Sequence, residues 1–190
     1  MPEGGGDALR EWSDVDTEDY NRLSGEINAC LKNNAWEGLD SNYVELTNLE
    51  AKAGADRVKK VTFENHYFGA QAANRLGNIT HEKERLESAL TVGGATEEET
   101  GKAVARLNEI KATYGAVKIE NKSEKEANLT PKEMPFAPEK QNVIKAAQLQ
   151  VLSLKGYEGL LPAGRYTFGS LTFEVKENQA KETHVLGASK

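Results

Sequence analysis

Three histidines, one cysteine and a scatter of serines are the side chains from which this sequence would have to build a catalytic or metal centre. His66, His81 and His184 have no second His or Cys in helical register with any of them, so the spacing that zinc ligation needs is missing. Pairing His66 with a carboxylate such as Glu26 or Glu64 would suit acid–base work, and an enzyme built that way needs a deep pocket joining them. Ser153, Ser170 and Ser189 sit in no nucleophile-elbow context. Gly93-Gly94-Ala95-Thr96 precedes a helical pattern whose free amides would attract an anion, but Glu97, Glu98 and Glu99 already fill that field. Those three neighbours point in different directions round a helix and lack the alternating spacing of a calcium loop. No catalytic residue, metal or cofactor is expected. Asn78-Ile79-Thr80, Asn121-Lys122-Ser123 and Asn128-Leu129-Thr130 fit the glycosylation sequon, which matters only in a eukaryotic secreted setting.

The 190 residues carry a net charge of −6, and seven acids against one base fall within residues 1–20. The remaining 170 residues are neutral, with 23 charges of each sign. Nothing strongly basic is present to hold nucleic acid, and no apolar run of about 18 residues is present to span a membrane. Residues 1–13, acidic and containing Gly4-Gly5-Gly6, read as a disordered leader that cannot bury enough apolar surface to fold alone. Met1-Pro2-Glu3 has neither the basic nor the apolar segment of a secretory leader. Ile27-Asn28-Ala29-Cys30 superficially matches a lipoprotein cleavage box, but the stretch before it is polar. Cys30 therefore reads as a small buried hydrophobe on a helix.

The elements that must position the remaining polar residues are helical for the first 115 residues. Residues 16–33, with Asp16 or Thr17 as N-cap, place Tyr20, Leu23, Ile27, Cys30 and Leu31 on one face. After a break at Asn33-Asn34, residues 35–50 carry a second stripe of Trp36, Leu39, Tyr43, Leu46 and Leu49, so the two helices form an antiparallel hairpin. Residues 57–76 and 79–91, separated by Gly77-Asn78, repeat the plan with Val58, Val61, Phe63, Tyr67, Phe68, Ala72 and Leu76 followed by Ile79, Leu86, Ala89 and Leu90. Thr96 with Glu99 forms a capping box that opens a further helix, expected to run to Tyr114 and stop at Gly115.

Phe68-Gly69, Gly77 eight residues later, and the large and small positions Leu86 and Ala89 resemble the tetratricopeptide-repeat pattern. Trp36, Leu39, Tyr43 and Leu46 align in the same way, with Leu39 and Leu46 replacing the family's small residues. The offset of 43 residues between Leu39 and Glu82 exceeds the family's period and implies an enlarged connection at 50–60. Any other array of helical hairpins would show much of the same pattern.

Beyond Gly115 the composition changes. Residues 116–120 alternate as a short strand would, and residues 121–135 read as a loop. Residues 138–155 suit a helix with Pro138 in its first turn and Gly156 as its stop, although Leu149–Leu154 also alternates like a strand. Leu160–Gly164 reads as a turn, and Arg165–Phe168 and Leu171–Val175 form a hairpin around Gly169-Ser170. Residues 177–190 return to polar composition and are expected to fray. The phrase Gly159–Gly169 is similar to the Pro-x-Gly-x-Tyr strand of PEGA-like and carboxypeptidase-regulatory-like β modules, which are small, usually non-catalytic and extracytoplasmic. A partial β layer packed on the helix accounts for the same residues.

The resulting expectation is an α+β protein: a leader at 1–13, tetratricopeptide-like hairpins at 14–115, a small module with one helix and a C-terminal β-hairpin at 116–182, and a tail at 183–190. The resemblance implies a groove lined by the first helix of each hairpin. It would present Asn21, Ser24, Asn28 and Lys32 from one unit and Phe63, His66 and Asn74 from the next. Asn and Lys would read a peptide backbone or carboxylate, and Phe63 would take an apolar anchor; the alternative is that Phe63 packs in the core and the Asn residues merely face water. The expected function is non-catalytic binding of a protein or peptide partner. The alternatives are a subunit of a homo- or hetero-oligomeric envelope assembly and an enzyme of unrecognised type. An extracytoplasmic location rests on the β-module resemblance alone, and a cytoplasmic one is the alternative.

Overall fold

The computed structural model describes residues 12–52, 61–123 and 125–187, and it is α+β. Five helices, α1 (Asp14–Lys32), α2 (Trp36–Ala51), α3 (Phe63–Arg75), α4 (Ile79–Val92) and α5 (Glu97–Lys111), come first. They are followed by β1 (Tyr114–Asn121), β2 (Leu129–Pro131), α6 (Pro138–Leu154), β3 (Gly156–Pro162), β4 (Gly164–Phe168), β5 (Leu171–Val175) and β6 (Glu182–Leu186). Among the described residues no helix is long and apolar enough to cross a membrane.

Helix α1 starts earlier than its apolar pattern. Ser13, rather than Asp16 or Thr17, is the N-cap: the Asp16 amide donates to Ser13 Oγ and the Ser13 amide donates to Asp16 Oδ2. Asp16 thus serves as the third helical residue of a capping box worth about 1 kcal/mol. Trp12, just ahead of the cap, donates its indole N–H to Thr17 and meets Tyr20 edge-on. Helix α3 begins at Phe63 with Thr62 as its cap; the expected start at 57, Val58, and most of the connection at 50–60 lie outside the described residues. The turn to α4 needs Gly77, whose φ is +76° and whose missing Cβ would stand 2.7 Å from the Asn142 carbonyl oxygen of α6.

The module boundary differs from the expected one. Helix α5 ends at Lys111, and Tyr114 and Gly115 already belong to β1, so Gly115 is not a helix stop. Tyr114, Val117 and Ile119 are buried in the strand, and this non-local packing outweighs the helical pattern that would otherwise have continued. β1 is the centre of a sheet ordered β3-β1-β6, antiparallel to β3 and parallel to β6. Leu160–Pro162, expected as a turn, is the end of β3, and residues 182–186, expected to lie in a fraying tail, are β6. The second sheet, β2-β4-β5, contains the expected hairpin plus a three-residue strand from the segment read as a loop. Residues 138–154 are helical, and Lys155 closes α6 in the left-handed region at φ 54°. Gly156 is instead reserved for β3, where a Cβ would stand 2.8 Å from the Ile119 carbonyl oxygen.

The core has two parts. Tyr20, Leu23, Ile27, Leu39, Tyr43 and Leu46 join α1 and α2, with Ala72 contributed by α3. The larger cluster runs across residue 115, from Ile79, Leu86 and Leu107 to Ile119, Ile144 and Phe168. Across the first sheet, Tyr157, Ile119 and His184 share one row, and Phe173 of the second sheet stacks on His184 at 4.1 Å between ring centroids. The opposite face is ionic, with Lys118 paired to Glu120 and Lys181 to Glu158.

Candidate functional site

The first helices of the two hairpins touch. Asn65 of α3 donates from Nδ2 to Ser24 Oγ of α1 at 3.1 Å, the hydrogen bond that fixes how α1 lies on α3. On the same side of α1, Asn21 and Lys32 are exposed and Asn28 is half-buried, its amide donating to the Ser24 carbonyl one turn back. These residues form the solvent-facing part of the expected groove.

The α3 members of the expected set face inward. Phe63 is buried against the main core and stacks on Tyr67, with ring planes 13° apart. Only its border on an open cleft of about 530 Å³, shared with Val61, Glu64, Val92 and Ala95, reaches the surface. His66 is buried and shares a 2.8 Å hydrogen bond through Nδ1 with the Tyr43 hydroxyl. Its partner is therefore a phenol rather than Glu26, which pairs with Arg22, or Glu64, which lines the cleft. Asn74 donates to Glu82 Oε2 at 3.0 Å.

His66 and Asn74, unlike Phe63, belong to buried polar clusters that periodicity did not disclose. Arg85 of α4 donates to Asp40 of α2 and to the Gly69 carbonyl oxygen of α3, and its guanidinium lies 4.3 Å from the centroid of the Tyr43 ring. Gly69 permits this approach, since a Cβ there would stand 2.6 Å from Tyr43 Cδ2. Burial pushes the Tyr43 hydroxyl up to about 12, with the Arg85 charge opposing it. Burial also lowers the His66 imidazole, and Arg85 lowers it further. Both groups are therefore neutral at pH 7.

A second cluster, which includes Asn74, ties the hairpins to the sheets. Glu82 of α4 accepts from Arg106 Nε and Nη2 of α5 at 2.7 and 3.0 Å. Arg106 Nη2 also donates to Glu139 of α6, which accepts the Tyr114 hydroxyl of β1, both at 2.7 Å. Burial pushes Arg106 down, but its hydrogen bonds to Glu82, Glu139 and Glu109 outweigh that and raise it. For Glu139, burial pulls upward, and the bonds from Arg106 and Tyr114 bring it below the usual carboxylate range. Every member is partnered, so the network acts as a clamp that holds α4, α5, α6 and β1 in one geometry.

At Thr96 the Glu99 carboxylate accepts from the Thr96 amide and hydroxyl, closing the α5 N-terminus with the protein's own anion. Cys30 lies on α1 as expected but is half-buried rather than buried, near Gly38 and Asn42. Comparison with protein-family models, with curated proteins and with solved structures finds no match for this chain.

Proposed function

We propose that the chain is a non-catalytic binding protein whose helical half takes a protein or peptide partner along the α1 surface. In this reading α1–α2 and α3–α4 are two tetratricopeptide-like hairpins, and the sheets form a PEGA-like module attached to them. The observation that carries it is the contact of α1 with α3 through Ser24 and Asn65, which sets the first helices of successive hairpins side by side. Asn21, Asn28 and Lys32 are left on that surface with amide and ammonium groups suited to a peptide backbone or a terminal carboxylate. Behind that surface the Tyr43–His66 bond and the bonds of Arg85 to Asp40 and Gly69 hold α2, α3 and α4 together, and binding costs less when the surface is already ordered.

The test is affinity capture from native extract, comparing wild type with an Asn21→Ala/Asn28→Ala/Lys32→Ala variant whose fold is verified by circular dichroism. Phe63 is left intact because its truncation would open the core. A partner retained by wild type, lost with the variant, and bound directly when purified supports the reading. Equal capture by both proteins removes the α1 surface from consideration.

A further inference from the structure

Helix α6 has an apolar face too many. Val143, Ile144, Ala147 and Val151 are buried against the sheets, yet Leu149, Leu152 and Leu154 stand out on the other side, 68%, 49% and 74% exposed. Lys145, Leu149 and Leu152 follow one another at i, i+4 and i+7, and so form a single outward stripe. Lys155 closes the helix, and Lys125 joins Lys155, Leu152 and one acid, Glu126, around a small hollow. Lys125, Lys145 and Lys155 make no ion pair among the described residues, whereas Lys118, Lys122 and Lys181 on the neighbouring sheet are all paired. The surface is therefore apolar with surplus positive charge.

The chain carries the complement. In the first turns of α1, Asp14 and Glu18 lie on one stripe with Val15 beside them, 64% exposed. The other acids there are engaged: Asp16 holds the Ser13 cap and Asp19 is paired with Arg22. Asp14 and Glu18 make no ion pair among the described residues. α1 packs on α2 and α3, and α6 packs on β3, β2 and α3, so the two patches are different surfaces of one molecule.

We propose that the Lys145–Leu149–Leu152 stripe and the Leu154–Lys155 end of α6 receive Asp14, Val15 and Glu18 of a second copy, so that the protein associates head to tail. Such a contact is heterologous: each added copy leaves one α1 end and one α6 end open, and growth continues beyond a dimer. The inference shares helix α1 with the proposed peptide surface but uses its first turns. An Asn28→Ala/Lys32→Ala variant accordingly keeps the self-association even if it loses a partner.

The experiment measures mass by sedimentation velocity, from low micromolar to the highest soluble concentration, on the full chain. Wild type is expected to rise past the mass of a dimer. Leu149→Asp/Leu152→Asp and Asp14→Lys/Glu18→Lys, each with an unchanged circular dichroism spectrum, are each expected to stay at the mass of one copy. An equimolar mixture of these two variants restores one intact contact per pair, and its mass is expected to stop at two copies. A monomeric wild type at every concentration, or a mixture that stays monomeric, overturns the proposal. If wild type is monomeric but sediments with phosphatidylserine-containing vesicles, and Leu149→Asp/Leu152→Asp does not, the patch is a lipid-docking surface and the proposal also fails.

Discussion

Removing Glu82 tests whether the buried clamp holds the helical half to the sheets. The Glu82 side chain is 6% exposed and that of its partner Arg106 is 19% exposed, so Glu82→Ala leaves a largely buried guanidinium without this carboxylate. Breaking a buried pair by deleting one partner costs about 3–5 kcal/mol, and because Arg106 keeps Glu139 and Glu109 the expected loss is at the lower end, about 3 kcal/mol. With a urea m value of about 2–3 kcal/mol per molar, the midpoint should fall by roughly 1–1.5 M at unchanged slope. The assay is urea unfolding followed by circular dichroism and tryptophan fluorescence. A companion Glu82→Leu/Arg106→Met variant removes both charges and should recover part of the loss, because the carboxylate that then lacks its cation, Glu139, is 35% exposed and keeps the Tyr114 hydroxyl. A loss below about 1 kcal/mol for Glu82→Ala, or a double variant as unstable as the single one, would refute the clamp.

Four further outcomes follow from the same structure. His66 is lowered in the folded state, so between its unfolded value near 6.5 and its folded value the unfolded chain takes up a proton that the native imidazole refuses. Stability should be fully present above pH 6.5 and should fall on acidification by up to about 1.4 kcal/mol per pH unit, a slope that urea midpoints between pH 7.5 and 5.5 measure and His66→Phe should flatten. Tyr43→Phe leaves His66 Nδ1 without its partner and should cost about 1–3 kcal/mol in chemical unfolding. Gly69→Ala drives a methyl into the Tyr43 ring and should cost about 1–3 kcal/mol, together with a changed near-ultraviolet tyrosine signal. Phe136, fully exposed on the loop before α6, should accept Ser with a stability change within about 0.5 kcal/mol in the same urea assay.

The helices and the β4–β5 hairpin were legible because their signals are local. Thr96 and Glu99 lie three residues apart, the Asn33-Asn34 break sits between two apolar stripes, and Gly169-Ser170 separates two alternating runs. Where the reading and the structure part, the deciding contact is distant in sequence. β6 is a short Thr183–Val185 alternation inside a polar stretch, and only pairing with β1 makes it a strand. Tyr114 continued a helical stripe, but its place is set by Glu139, 25 residues later. The polar network left a partial trace: Glu82 and Arg85 fall on the same helical stripe as Leu86 and Ala89, where charged side chains read as intrusions. Which cations and anions meet there is a matter of tertiary geometry. The same applies to His66, whose partner Tyr43 comes from α2, 23 residues earlier, whereas Phe63 already stood in the apolar stripe of its helix and packs in the core.

The position of β1 in its sheet also orders events during synthesis. Its antiparallel neighbour follows about 42 residues later and its parallel neighbour about 65 residues later, so both edges of the central strand stay open while the ribosome supplies the remainder. The four leading helices contact one another in sequence order and can condense as they emerge, but both strands that pair with β1 are still to come. Through that interval Lys118, Glu120 and Lys122 alternate with Val117 and Ile119 along the waiting strand, and charges on an unpaired edge discourage a neighbouring nascent chain from adding to it. Deleting residues 182–186 would leave the edge of β1 that β6 covers open permanently, so a chain shortened there should be more prone to intermolecular sheet formation than to simple loss of a tail.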